Sequence, residues 1–233
     1  MAVKLPRATA EELDKLVDQL GKPDAKLREA ATLRLMDCER SGRLPLAALL
    51  EFSESDNPTL SMYAISALGR NGEAPAVKRL IELAERHRES NPLYLEQIVD
   101  ALGETRSAEA AGPLLGMLGI RAGWSGKLFG RRSRKEEEDA ALERSRAQLT
   151  LPVLRALEKL EDRKAAQALG GEFLGHEDPL VRWHAVQILM KCNVGEFNAR
   201  LRQMAAQEKD ELVREAASIA IDRLEPLPPN LNN

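Results

Sequence analysis

Three histidines and two cysteines are the side chains best able to ligate a metal or attack a substrate, and their spacing supports neither role. His87, His176 and His184 are too far apart or wrongly spaced for a zinc set, and neither Cys38 nor Cys192 has a second ligand nearby. No glycine-rich phosphate loop follows a strand. Carboxylates are abundant, 37 Asp and Glu in all, yet no spacing rule pairs two of them for acid–base work. His176, within Gly175-His176-Glu177-Asp178, reads as a turn residue, and His184 as a surface or inter-helix residue. No catalytic residue, metal or cofactor is expected.

The strongest chemical signal is a short basic segment. From Gly119 to Lys135 the chain carries six basic residues, no acidic one and four glycines. Trp124, Lys127, Leu128, Phe129, Arg131, Arg132, Arg134 and Lys135 interleave cations with large apolar groups. Removing those six cations from the formal net charge of -3 leaves -9 for the rest of the chain. A positive, aromatic patch on a negative body suits an acidic partner groove or an anionic membrane surface, and nucleic acid less well. Six cations near an anionic leaflet could contribute at most about 6 kcal/mol before loop ordering is subtracted, so only reversible membrane binding follows.

The segment interrupts a periodic array. Thr9 and Glu12 form a capping box ahead of a helix whose apolar face is Leu13, Leu16, Val17 and Leu20. Asp24 caps the next helix, with Leu27, Ala30, Ala31 and Leu35 on one side. Asn57-Pro58 and Asn91-Pro92 start later helices in the same way, 33 and 34 residues on. Matching Ala156-Leu157 to Ala101-Leu102 puts the next cap equivalent near Arg146, which implies an insert over about 119–140. Asp178 and Asp210 then resume the rhythm at 32 residues each. The pattern predicts about six helix pairs in one all-α domain over 1–225, followed by a tail at 226–233 that the prolines from Pro226 onward keep from being helical.

Composition agrees with this reading. The chain is 43% hydrophobic but only 3% aromatic, which suits short, closely packed helices better than a β-sandwich. Its slight acidity provides no global field for nucleic acid. No apolar run reaches the roughly 18 residues of a membrane span, and Met1–Glu12 lacks a secretory core, so a cytoplasmic setting is expected. Cys38 and Cys192 each lie 14 residues after an equivalent Asp. Four repeat steps would separate them by roughly 35 Å, so they are expected to be buried small hydrophobes and not a disulfide.

At Asp178-Pro179-Leu180-Val181-Arg182-Trp183-His184-Ala185-Val186, and again at Asp210-Glu211-Leu212-Val213-Arg214, the sequence resembles the short bacterial HEAT-like repeats, including those of the phycobilin-lyase type. The resemblance implies an α-solenoid, and a ladder between neighbouring repeats made by the motif's Asp and Arg. Asp24/Arg28, Asp178/Arg182 and Asp210/Arg214 fit that ladder, whereas Ser61, Leu95 and Thr150 stand where Arg would be. Such families hold mostly scaffolds and adaptors, so the expectation is a protein without enzymatic activity. It would bind a protein partner through its inner face around Ser61, Leu95 and Thr150 and through the insert; the alternative is a peripheral membrane factor. The resemblance also admits a DNA glycosylase, which would need a basic concave face, and a phycobilin lyase, which would need a chromophore-bearing partner protein.

Overall fold

Boundary signals written in the sequence set the helix starts. In the computed structural model residues 8–87, 92–120 and 136–224 are described, those of 136–147 as backbone. Thr9 caps α1 (Ala10–Leu20), accepting from the Glu12 N–H at 3.2 Å. Asp24 caps α2 (Ala25–Arg40), and Asn57 caps α4 (Pro58–Asn71) by accepting from Thr59 and Leu60. Between them lies α3 (Leu46–Phe52), and α5 (Ala74–Arg86) and α6 (Pro92–Glu104) complete the first six helices. Asn91, expected to cap α6, is outside the described residues, as are residues 225–233.

The next six are α7 (Ala111–Met117), α8 (Glu136–Leu160), α9 (Arg163–Phe173), α10 (Pro179–Lys191), α11 (Asn198–Gln207) and α12 (Glu211–Leu224). The helices gather into two compact units, Met1–Thr105 and Arg106–Asn233. Each unit contains three helix pairs, and the second helices of successive pairs pack side by side: α4 on α6, α8 on α10, α10 on α12.

In the first unit Leu35, Leu60, Ile65, Leu68, Leu80, Ile98 and Leu102 are fully buried. Burial of each such side chain is worth about 1.5–3 kcal/mol. The α4–α6 crossing is tight because Gly69 faces the backbone of Ala101; a Cβ there would lie 2.7 Å from the Ala101 carbonyl oxygen. The second unit uses the same device between Gly170 of α9 and the ring of Phe197.

Three expectations change. Leu27 and Ala30 are exposed, leaving Ala31, Leu35 and Cys38 as the inward side of α2. Their places on later second helices face the preceding pair, and among the described residues no pair lies before α1 and α2. The helix expected from Ser107 forms as a 3-10 turn, Ala108–Ala110, followed by α7. Arg146 is not a cap: α8 begins at Glu136 and runs through it, so the acidic Glu136–Asp139 stretch lies within the first helical turn, where the helix dipole favours it.

Candidate functional site

The motif Asp and Arg do not pair with each other as the ladder requires. Each Asp caps its own helix: Asp24 accepts from the Lys26 N–H at 2.8 Å, Asp178 from Leu180 at 2.8 Å and Asp210 from Val213 at 3.1 Å. Each Arg reaches back to the turn before that cap. Arg28 Nη1 donates to the carbonyls of Lys22 (2.9 Å) and Pro23 (2.6 Å), Arg182 Nη1 to those of His176 (2.7 Å) and Glu177 (2.8 Å), and Arg214 Nη1 to that of Glu208 (3.0 Å). A rigid planar fork suits this bridging of carbonyls.

Further contacts between neighbouring second helices come from residues six and thirteen positions past the cap. In the first unit Glu39 of α2 accepts from Tyr63 Oη at 3.1 Å and pairs bidentately with Arg70 of α4, at 2.8 Å for both bonds. Gln97 of α6, also six past its cap position, donates to the Met62 carbonyl (2.8 Å) and to Ser66 Oγ (3.0 Å). In the second unit Glu158 of α8 meets His184 Nδ1 at 3.2 Å and Lys191 Nζ at 2.7 Å, both on α10. His184 is thus an inter-helix residue, edge-on to Trp183. Its hydrogen bond, with the Lys191 ammonium, pulls the Glu158 carboxyl down to about 2 against the opposing effect of burial.

Of the expected contact residues, Ser61 is 3% exposed and hydrogen-bonds Tyr94 Oη across 3.1 Å, while Leu95 is 1% exposed in the core. Buried in this way, they offer a partner no surface; the Arg position is filled here by packing. Thr150 is half-buried on α8. Trp124, Lys127, Leu128, Phe129, Arg131, Arg132, Arg134 and Lys135 lie outside the described residues.

A cleft opens where that segment leaves α7. Its volume is about 670 Å³, and Leu118, Gly119, Ile120, Ala168, Glu172, Phe173 and His176 line it. This is within the usual size range of small-molecule sites. Phe173 and His176 stack nearly parallel, with ring centroids 5.7 Å apart. The Asp178 N–H donates to His176 Nδ1 at 3.0 Å, so in the neutral ring the proton sits on Nε2. An imidazole donor and the exposed Glu172 carboxylate therefore share one open cleft of mixed polar and apolar lining. Sequence reasoning read His176 as a turn residue, which it is, and missed the cleft because its walls come from α7 and α9, separated by the insert.

Cys38 and Cys192 are buried and unpaired, and burial raises both thiols, Cys192 to about 11. A thiol so placed is a poor nucleophile. Among the described residues no three His, Cys, Asp or Glu side chains converge as a metal set. None of the described helices is long and apolar enough to cross a membrane.

No protein-family model matches the chain, and no curated protein is similar to it. Among solved structures it is similar to the complex of CpcE and CpcF of phycocyanin lyase from Nostoc sp. PCC7120, with 21% identity and a TM-score of 0.51 over 93% of this chain and 77% of that one. The fold is therefore all-α and HEAT-like, of the solenoid type. The same finding overturns the expectation of a protein without enzymatic activity: a phycocyanin lyase uses this fold, so an array of helix pairs is no ground for excluding catalysis.

Proposed function

We propose that the chain is a HEAT-like subunit of a lyase-type enzyme acting on a bound protein, with the chemistry in the α7–α9 cleft. The observation that carries this reading is the likeness to the phycocyanin lyase complex over 93% of the chain. In support, the cleft combines a carboxylate, an imidazole N–H and a stacked aromatic wall, the groups needed to hold a flat substrate and move a proton. The basic segment follows Ile120, which lines the cleft, and the composition of Trp124, Phe129 and the flanking cations suits an acidic partner protein. A cytoplasmic setting goes with this reading.

The test is affinity purification from the native cell, with and without residues 121–135, followed by an assay of the recovered complex on phycocyanin by absorbance and fluorescence. The expected result is a captured protein lost with the deletion, and a spectral change slowed about 100-fold by His176→Gln or Glu172→Gln. No spectral change, or one indifferent to both substitutions, would refute the lyase reading. The composition of the insert also favours a second reading, a reversible foot on an anionic membrane. Co-sedimentation with anionic vesicles that falls with salt and with Trp124→Ala plus Phe129→Ala would support it.

A further inference from the structure

His176 sits in the turn between α9 and α10, and its backbone is held from both sides. Its N–H donates to the Phe173 carbonyl at 3.2 Å, and its carbonyl accepts from Arg182 Nη1 at 2.7 Å. The same nitrogen of Arg182 donates to the Glu177 carbonyl at 2.8 Å. With Nδ1 taken by the Asp178 N–H and one ring face on Phe173, Nε2 is the nitrogen left for a ligand in the cleft. The guanidinium is fixed in turn. Its Nε and Nη2 take both oxygens of Glu208, at 2.9 and 2.8 Å, and the two side chains are only 14% and 11% exposed. A bidentate pair so buried leaves the fork one orientation. Glu208 is itself tied at two points, its carboxylate to the Asp210 N–H at 3.1 Å and its carbonyl to Arg214 Nη1 at 3.0 Å.

The repeat does not require this carboxylate. In three pairs the Arg four places past the cap holds the carbonyl two places before it, that of Lys22, His176 or Glu208. Arg28 and Arg214 meet no carboxylate among the described residues, and α2 and α12 form all the same. Ahead of α4 the place of Glu208 is taken by Ser55, whose hydroxyl accepts from the Asn57 N–H at 3.2 Å and makes no bond to Arg28. Among the described residues, only in the turn that carries the cleft imidazole is the clamp locked from behind.

We propose that Arg182 and Glu208 are positioning residues for His176: the carboxylate aims the guanidinium, the guanidinium fixes the turn, and the turn holds Nε2–H at the cleft. The inference deepens the lyase reading and rests on it for the reaction served, while the positioning itself rests on the α10–α12 geometry. Neither residue lines the cleft, so both act through the imidazole. With the Glu208 carboxylate gone, Arg182 regains its own side-chain torsions and the turn it holds moves with it. A displacement of a reacting group by about 1 Å can cost about 100-fold in rate.

The test reads His176 directly, by nitrogen-15 NMR of the full chain labelled at histidine, its signals assigned by their loss in His176→Gln. In the wild type the Nε2–H tautomer should exceed the other about 10-fold or more, with cross-relaxation between the His176 and Phe173 rings. Arg182→Lys keeps the charge without the fork, and Glu208→Gln keeps the shape without the charge. Each should raise the second tautomer by about 3-fold and weaken the ring-to-ring signal. Glu158→Gln, which breaks the neighbouring α8–α10 joint without touching this turn, controls for general loosening and should leave the His176 signals as they are. In the phycocyanin assay Arg182→Lys and Glu208→Gln should slow the spectral step about 10- to 100-fold, with the substrate concentration for half-maximal rate unchanged. Wild-type His176 signals in both variants, the same change in Glu158→Gln, or an undiminished rate would overturn the positioning role, whatever the loss in melting temperature. If the wild type leaves phycocyanin unchanged, the lyase reading fails and the NMR comparison alone decides the positioning.

Discussion

Glu39 in the first unit and Glu158 in the second form the same joint with different chemistry. Each carboxylate is gripped by two residues seven apart on the next second helix, Tyr63 and Arg70 in one case, His184 and Lys191 in the other. A phenol, which burial keeps protonated well above its ordinary range, does in one unit what an imidazole does in the other. The repeat therefore preserves a geometry, two donors on one helix face reaching one carboxylate, and leaves the donor types free.

The largest expected effect tests whether the centre of the first unit is surface or core. Leu95→Arg puts an unpaired charge at a 1% exposed site and should cost about 3–5 kcal/mol in urea unfolding. A loss under 1 kcal/mol would mean that Leu95 is reachable by a partner after all. Next, Glu158→Gln should cost about 1–3 kcal/mol by leaving His184 and Lys191 without their shared carboxylate.

Acid should separate the wild type from that variant. The folded-state value of Glu158, about 2, lies below the ordinary 4.5. The stabilisation from this pairing is complete above about pH 5 and is lost as pH falls from 4.5 toward 2. Hydrogen exchange of α8 and α10 should accelerate across that window in the wild type and lose this component in Glu158→Gln; identical profiles would count against the assignment. Tyr63→Phe removes one hydrogen bond to a carboxylate that Arg70 still holds and should cost about 1.5 kcal/mol, the low end for a charged acceptor. The smallest effect belongs to Lys191→Ala, whose side chain is 43% exposed, at about 0–1 kcal/mol in thermal melts.

The helix starts were legible in the sequence because caps and prolines act locally. Thr9, Asp24, Asn57, Asp178 and Asp210 all begin helices as their types predict. The joints were not. Tyr63, Gln97 and His184 share one offset from their caps, but a polar residue at a helical spacing does not reveal which neighbour it reaches. Leu95 misled for a related reason: an apolar residue in a normally charged position reads as a remodelled surface, when burial had converted the position to core. The cleft was hidden because Phe173 and His176 are local to one turn, whereas Leu118 and Ile120 reach it from across the insert.

The Arg that grips the preceding turn has a consequence for where such a chain can grow. The starts of α2 and α12 are held by this clamp, those of α4 and α6 by a proline at the first helical position, and that of α10 by both. Of the second helices only α8 has neither at its cap equivalent, with Arg146-Ala147 for the cap and Thr150 for the Arg, and only α8 overruns that position, by the ten residues back to Glu136. An unmarked boundary can slide, so it can accept added length without breaking the pairs on either side. The insert stands before the one second helix, among those described, whose start neither device marks.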